Sequence, residues 1–196
     1  TGEGGMLTCD DEGIIKRVKV MRLHGIDRDA WDRFNGAEAQ WEYDIVAPGY
    51  KYNMPDLNAA VGLAQLERAD AMRRDRERCA RYYLEALADV DAIELPLIQT
   101  PMSDHAWHLF VIGLKENACV SRNRFIELMA DMGIGLSVHY KPLHRHTYYR
   151  EFYGLRPDDF PGAEAMWRGC VSLPIYSCLT DDELDYICTC IRNILE

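Results

Sequence analysis

The sequence predicts an α/β chain whose C-terminal part is a compact α+β unit. Three observations carry that prediction. Apolar residues recur at helical spacing in several segments, as in Leu184, Ile187, Cys188, Ile191 and Leu195. β-branched and aromatic residues concentrate in short runs, of which residues 107–114 (WHLFVIGL) are the clearest. Gly, Pro and capping residues punctuate the intervals.

Taken in order, residues 5–9 (GMLTC) read as a short strand. Asp10, Asp11 and Glu12 then open a helix, acidic where its dipole favours negative charge. Ile14, Ile15, Val18 and Met21 form its apolar stripe, and His24-Gly25 ends it. Residues 26–47 have no clean period and carry Trp31, Phe34, Trp41 and Tyr43, the pattern of a long ordered loop. Asp56 starts a single long helix. It has a small-residue face at Leu57, Ala60, Val61 and Ala64, a charged stretch over 67–81, and apolar residues again from Tyr82 to Leu87. A helix of that kind bridges two domains. The expected division is therefore 1–70 and 71–196.

The second part reads as strand 92–95, strand 107–114, a Ser121-capped helix closed by Gly133, strand 134–140, and a short helix over 148–153. An extended edge segment at 172–174 follows. The last helix begins with the capping box of Thr180 and Glu183.

Composition bounds the function. The chain has 196 residues, 48% of them hydrophobic and 28% charged, enough for a real core. Its net charge of −10, with no basic stripe, argues against nucleic acid or an anionic membrane as partner. No apolar run approaches the roughly 18 residues of a membrane span. The seven cysteines follow neither a metal-pair spacing nor a disulfide framework, and read as buried, reduced thiols of a cytoplasmic protein.

Three clusters could carry chemistry. Glu3, Gly4 and Gly5 lie in a glycine-rich run that suits either close approach to a ligand or a tight turn. Gly49-Tyr50-Lys51-Tyr52-Asn53 precedes a helix start. Lys51, Tyr52 and Asn53 can hydrogen-bond phosphate oxygens, or form a solvated polar turn. His139, Tyr140 and His144 lie in H-Y-K-P-L-H at a strand exit. His139, His144 and His146 lack the fourth ligand of a zinc site, so no metal is expected. In His105-x-x-His108 one histidine reads as structural.

Spacing alone does not join these clusters. Together, however, TGEGGMLTCDD, RLHG, PGYKYNMPDLNAAVGLAQLE, HAWHLFVI and GIGLSVHYKPLH resemble the DegT/DnrJ/EryC1/StrS family of sugar aminotransferases, in order and over essentially the whole chain. The variants present are most similar to members acting on UDP-linked 4-ketosugars, of the 4-amino-4-deoxy-L-arabinose aminotransferase type. The resemblance implies the C-terminal part of a fold type I transferase that uses pyridoxal 5′-phosphate (PLP), comprising the end of the large domain, a connecting helix and the small domain. It implies a cytoplasmic homodimer with shared sites, moving an amino group from glutamate to a nucleotide-linked ketosugar.

Among the residues, it places Gly49, Lys51, Tyr52 and Asn53 at the cofactor phosphate. Lys51 stands where Asn is common in the family, and Asn53 where many members have Arg. It places Glu3, Gly4, Gly5, His139, Tyr140 and His144 near substrate. The catalytic lysine is expected about four residues before Thr1, so no catalytic residue is assigned within the chain and the 196 residues alone are expected to be inactive. A PLP-dependent sugar dehydratase, with histidine for that lysine, and a noncatalytic binding domain are the alternatives.

Overall fold

The computed structural model describes residues 1–27 and 43–196, so Trp31, Phe34 and Trp41 lie outside the described residues. The chain divides into two compact units, Thr1–Arg68 and Ala69–Glu196.

In the first unit, helix α1 spans Glu12–Met21. Asp11 caps it by accepting from the Gly13 and Ile14 amides at 2.7 and 3.1 Å. The expected strand over 5–9 does not form. Met6 is 87% exposed there, and that run pairs with no other strand among the described residues. Ile14 of the expected stripe is likewise exposed, and α1 buries no residue.

Helix α2 spans Asp56–Leu66 and α3 spans Ala69–Ala86. The expected single helix is thus two, separated at Glu67 and Arg68. The break falls where the apolar stretch gives way to the charged one; helix resumes at Ala69, supported by the i,i+4 pairs of Glu77 with Arg73 and Arg81. α2 buries no residue, and Leu57, Val61, Leu63 and Leu66 on it are exposed.

The second unit holds a three-stranded antiparallel sheet in the order β1 (Ile93–Glu94), β2 (Phe110–Leu114), β3 (Cys170–Leu173). Phe110 faces Leu173 and Ile112 faces Val171 across the β2–β3 ladder. These four alternate residues are buried with Tyr83 and Leu87 of α3. They form one core with Phe125 and Met129 of α4 (Arg122–Asp131) and Leu184, Ile187 and Ile191 of α7 (Asp181–Leu195). Helices α5 (Thr147–Tyr153) and α6 (Pro161–Gly169) complete the unit. The sequence reading missed α6. Its last residue, Gly169, sits where an added Cβ would lie 2.3 Å from the Leu114 carbonyl oxygen, so glycine permits the helix to end directly against β2.

The expected strand over 107–114 is shorter because Trp107 has φ of 48° and breaks the extended run. The carbonyls around this break are gathered by Arg76 of α3, whose Nη1 donates to Trp107 O at 3.1 Å, His108 O at 3.4 Å and Ile175 O at 3.3 Å. The expected strand over 134–140 is reduced to one bridge between Ser137 and Ser172, on the free edge of β3. Short loops around Gly133 and Gly135 leave too few extended residues for a ladder.

All seven cysteines are free. Cys79, Cys170, Cys188 and Cys190 are buried as expected, but Cys9, Cys119 and Cys178 are exposed. Burial pushes the Cys188 thiol up to about 12.

Candidate functional site

The candidate residues fall in both units. In the first, the RLHG turn that follows α1 and the segment carrying PGYKYN run antiparallel. The Tyr50 amide donates to Met21 O at 2.7 Å, His24 N to Tyr50 O at 2.9 Å, and Tyr52 N to Arg22 O at 2.8 Å. Bridges at Leu23–Lys51 and Ile26–Ile45 continue the pairing.

Glycine is required where the two backbones cross. A Cβ on Gly25 would lie 1.7 Å from Ala47 O, and one on Gly49 would lie 2.0 Å from Gly25 N. Gly25 also has φ of +74°, a conformation that glycine adopts freely. Two motifs distant in sequence are therefore one backbone structure. Gly49 acts as the crossing point and not as a flexible hinge.

This pairing sets the side chains by alternation. Tyr50 and Tyr52 share one side and stack, with ring centroids 5.0 Å apart and planes 5° apart. Lys51 and Asn53 share the other, where Lys51 Nζ donates to Asn53 Oδ1 at 2.5 Å. Lys51 retains two ammonium hydrogens and Asn53 its amide Nδ2, which together form a donor set suited to a phosphate. Lys51 and Tyr52 are exposed. The donor chemistry thus fits a phosphorylated cofactor.

The N-terminal run lies on the start of α2. Asn58 Nδ2 donates to Thr1 O at 2.6 Å, and a Cβ on Gly62 would lie 2.9 Å from the Thr1 methyl. Gly4 leaves room for the Met54 methyl, 2.9 Å from where a Cβ would sit. Gly5 and Glu3 are exposed. The structure therefore brings Thr1–Gly5 together with residues 54–62, within reach of the segment that follows Asn53.

In the second unit, His139, Tyr140 and His144 lie on one loop but in different environments. His139 Nδ1 pairs with Ser172 Oγ of β3 at 2.7 Å, and the Tyr140 ring stands edge-on to His139. Tyr140 is 73% exposed. His144 is 4% exposed. Its Nε2 meets Glu164 Oε1 at 2.6 Å, and Phe160 stacks on its ring with centroids 4.6 Å apart. Arg145 donates to the same carboxylate, from Nε to Oε1 at 2.7 Å and from Nη2 to Oε2. The Arg145 guanidinium first, and His144 second, hold the Glu164 carboxyl down at about 2.

Sequence reasoning missed Glu164, because its helix was not recognised and a lone glutamate on an amphipathic stretch gives no signal. His105 proves structural, its Nδ1 accepting from the Trp107 amide at 2.9 Å, while His108 is exposed. Among the described residues, no group of three or more His, Cys, Asp or Glu side chains could hold a metal, and no helix is long and apolar enough to cross a membrane.

Comparison with known proteins follows the same outline. The profile of the DegT/DnrJ/EryC1/StrS aminotransferase family matches residues 1–192. The chain is 41% identical over 196 residues to the uncharacterized protein MJ1066 of Methanocaldococcus jannaschii, covering all of this chain and 50% of that protein. It is 40% identical over 198 residues to the spore coat polysaccharide biosynthesis protein SpsC of Bacillus subtilis, again covering all of this chain and 50% of that protein. The chain thus spans about half the length of the curated relatives it matches.

Among solved structures, the sugar aminotransferase Spr1654 of Streptococcus pneumoniae in its PMP form superposes with a TM-score of 0.83 at 32% identity, over 95% of this chain and 46% of that one. Its PLP form gives 0.79 at 31%, over 96% of this chain and 46% of that one. Helicobacter pylori PseC, at 22% identity and a TM-score of 0.81 over 95% of this chain and 47% of that one, shares the fold. The fold class expected from the sequence, part of a fold type I PLP-dependent transferase, is the one found.

Proposed function

The chain belongs to the DegT/DnrJ/EryC1/StrS aminotransferase family, and from that premise we propose that it forms part of a longer PLP-dependent enzyme moving an amino group from glutamate to a nucleotide-linked ketosugar. The observation that carries this reading is the paired segment at Gly49–Asn53, where a fixed backbone presents Lys51 and Asn53 as a phosphate donor set. PLP, when bound, supplies an electron sink for chemistry at the amino-bearing carbon. This chain's residues hold and orient. Lys51 and Asn53 bind the phosphate oxygens, and the rigid pairing with RLHG keeps them in place. His139 and Tyr140 contact the sugar nucleotide, Tyr140 through its exposed hydroxyl.

The reacting lysine lies in sequence outside these 196 residues, so the chain by itself does not catalyse transfer. The exposed Leu57, Val61, Leu63 and Leu66 on α2 support the reading of the chain as part of a larger assembly, because apolar side chains grouped on one helix call for a covering element. The enzyme acts as a cytoplasmic homodimer in which Gly49–Asn53 serves the partner's cofactor. The likeness to SpsC supports a role in polysaccharide biosynthesis.

The test is PLP affinity in the full-length protein. Lys51→Ala removes a charge-assisted donor, worth about 1.5–3 kcal/mol, so equilibrium dialysis should show PLP bound roughly ten- to a hundredfold more weakly. Lys51→Asn, which retains a donor, should lose less. Unchanged affinity in Lys51→Ala would remove the segment from the cofactor site.

A further inference from the structure

We infer that Glu164 is a positioning residue for the substrate loop, holding the H-Y-K-P-L-H turn through His144 and Arg145 so that Tyr140 and Lys141 remain free for an anionic sugar nucleotide. This rests on the assignment of that loop to the substrate. The loop is tied down at both ends. At its start, His139 Nδ1 pairs with Ser172 Oγ, and Ser137 and Ser172 exchange backbone hydrogen bonds at 3.3 and 2.7 Å. At its end, Glu164 of α6 takes His144 and both arms of Arg145.

Between these anchors, Tyr140, Lys141 and Leu143 are exposed. Arg145 is consumed by the carboxylate, and Arg150 by its neighbour Glu151 at 3.2 Å. Lys141 has no acidic partner among the described residues. On a chain of net charge −10, that leaves Lys141 as the loop's charge for a diphosphate. The stacked Phe160 makes the anchor specific. It covers the face of His144, so the ring cannot turn away from Glu164 without losing that contact.

The experiment uses the full-length protein and separates the two half-reactions. Glu164→Gln keeps the shape of the side chain but loses its charge. UDP affinity by calorimetry and KM for a UDP-linked ketosugar should worsen about tenfold, the low end of what losing an orienting partner costs at metal sites. The glutamate half-reaction should be unchanged. Lys141→Ala should weaken UDP similarly, and the double variant should be no worse than Lys141→Ala alone, because both act on one contact.

Amide exchange at Arg145 and His146, which donate to Pro142 O and Leu143 O, should accelerate in Glu164→Gln. The pH profile should also change. The folded carboxyl lies at about 2, below its ordinary 4.5. Its stabilisation is therefore complete above about pH 4.5 and lost as pH falls towards 2, and this loss should vanish in Glu164→Gln.

Equal loss in both half-reactions, or wild-type UDP affinity in Glu164→Gln, overturns the proposal. Additive loss in the double variant overturns it as well. If the wild-type protein binds no nucleotide while exchange at Arg145 accelerates in Glu164→Gln, the assignment of the loop to a nucleotide-linked substrate fails and the anchor stands. Unchanged exchange removes the anchor itself.

Discussion

Replacing Gly49 with alanine is expected to unpair the PGYKYN segment from the RLHG turn. The new methyl carbon would stand 2.0 Å from the Gly25 nitrogen and 2.5 Å from the His24 carbonyl carbon, both backbone atoms that cannot swing aside. Overpacking against side chains costs about 1–3 kcal/mol, and a backbone obstacle lies at or above the upper end of that range. Exchange protection of the His24, Tyr50 and Tyr52 amides should therefore collapse. PLP affinity should fall with it, since Lys51 and Asn53 lose their fixed frame. Gly135→Ala is the control. No atom lies within 4 Å of the place its new methyl would take and its φ is not positive, so it should cost no more than about 0.5 kcal/mol. Retained protection in Gly49→Ala would mean that the two segments do not cross as described.

Phe110→Ala should be the costliest change in the second unit. Phe110 is fully buried, faces Leu173 across the ladder, and packs against the rings of Tyr83 and Trp107 at 5.0 and 5.9 Å. Truncation of a buried phenylalanine costs about 3–5 kcal/mol. That is a large share of the roughly 5–15 kcal/mol that holds a domain together. The denaturation midpoint should fall accordingly. The effect should reach the HAWHLF segment, because Trp107 takes its position from the same ring cluster and from the Arg76 clamp. A midpoint shift equivalent to less than about 1 kcal/mol would show that the cavity collapses or that the core is not centred there.

These two positions also show what could be read from the sequence. Phe110 was legible because WHLFVIGL is dense in strand formers and the helices around it carry clean 3.6-residue stripes. α4 and α7 are accordingly recognisable close to their observed ends. Runs of similar composition at 5–9 and 134–140 were overread. A strand needs a partner along its edge, and periodicity in one segment does not report whether a partner exists. The break at Glu67 and Arg68 was hidden for a related reason, since a charged stretch is as compatible with a turn as with a solvated helix.

At the site, the motifs were legible as motifs but their relation was not. His24-Gly25 had no role until its backbone was seen crossing Gly49. Glu164 had none until α6 was seen packing behind the H-Y-K-P-L-H loop. In both cases the proposed role rests on a contact distant in sequence, between backbones or between half-buried charged groups, which local residue type does not encode. His144 illustrates the same point, as a motif histidine that spends its ring nitrogen on a carboxylate and its face on Phe160.

Borohydride reduction of the full-length protein loaded with PLP, followed by peptide mapping, locates the reacting lysine. The predicted result is a single stoichiometric label in sequence outside these 196 residues, with no stoichiometric label when the 196-residue chain is treated alone. A stoichiometric label on Lys16, Lys19, Lys51, Lys115 or Lys141 would contradict it, because this chain would then itself supply the reacting amine.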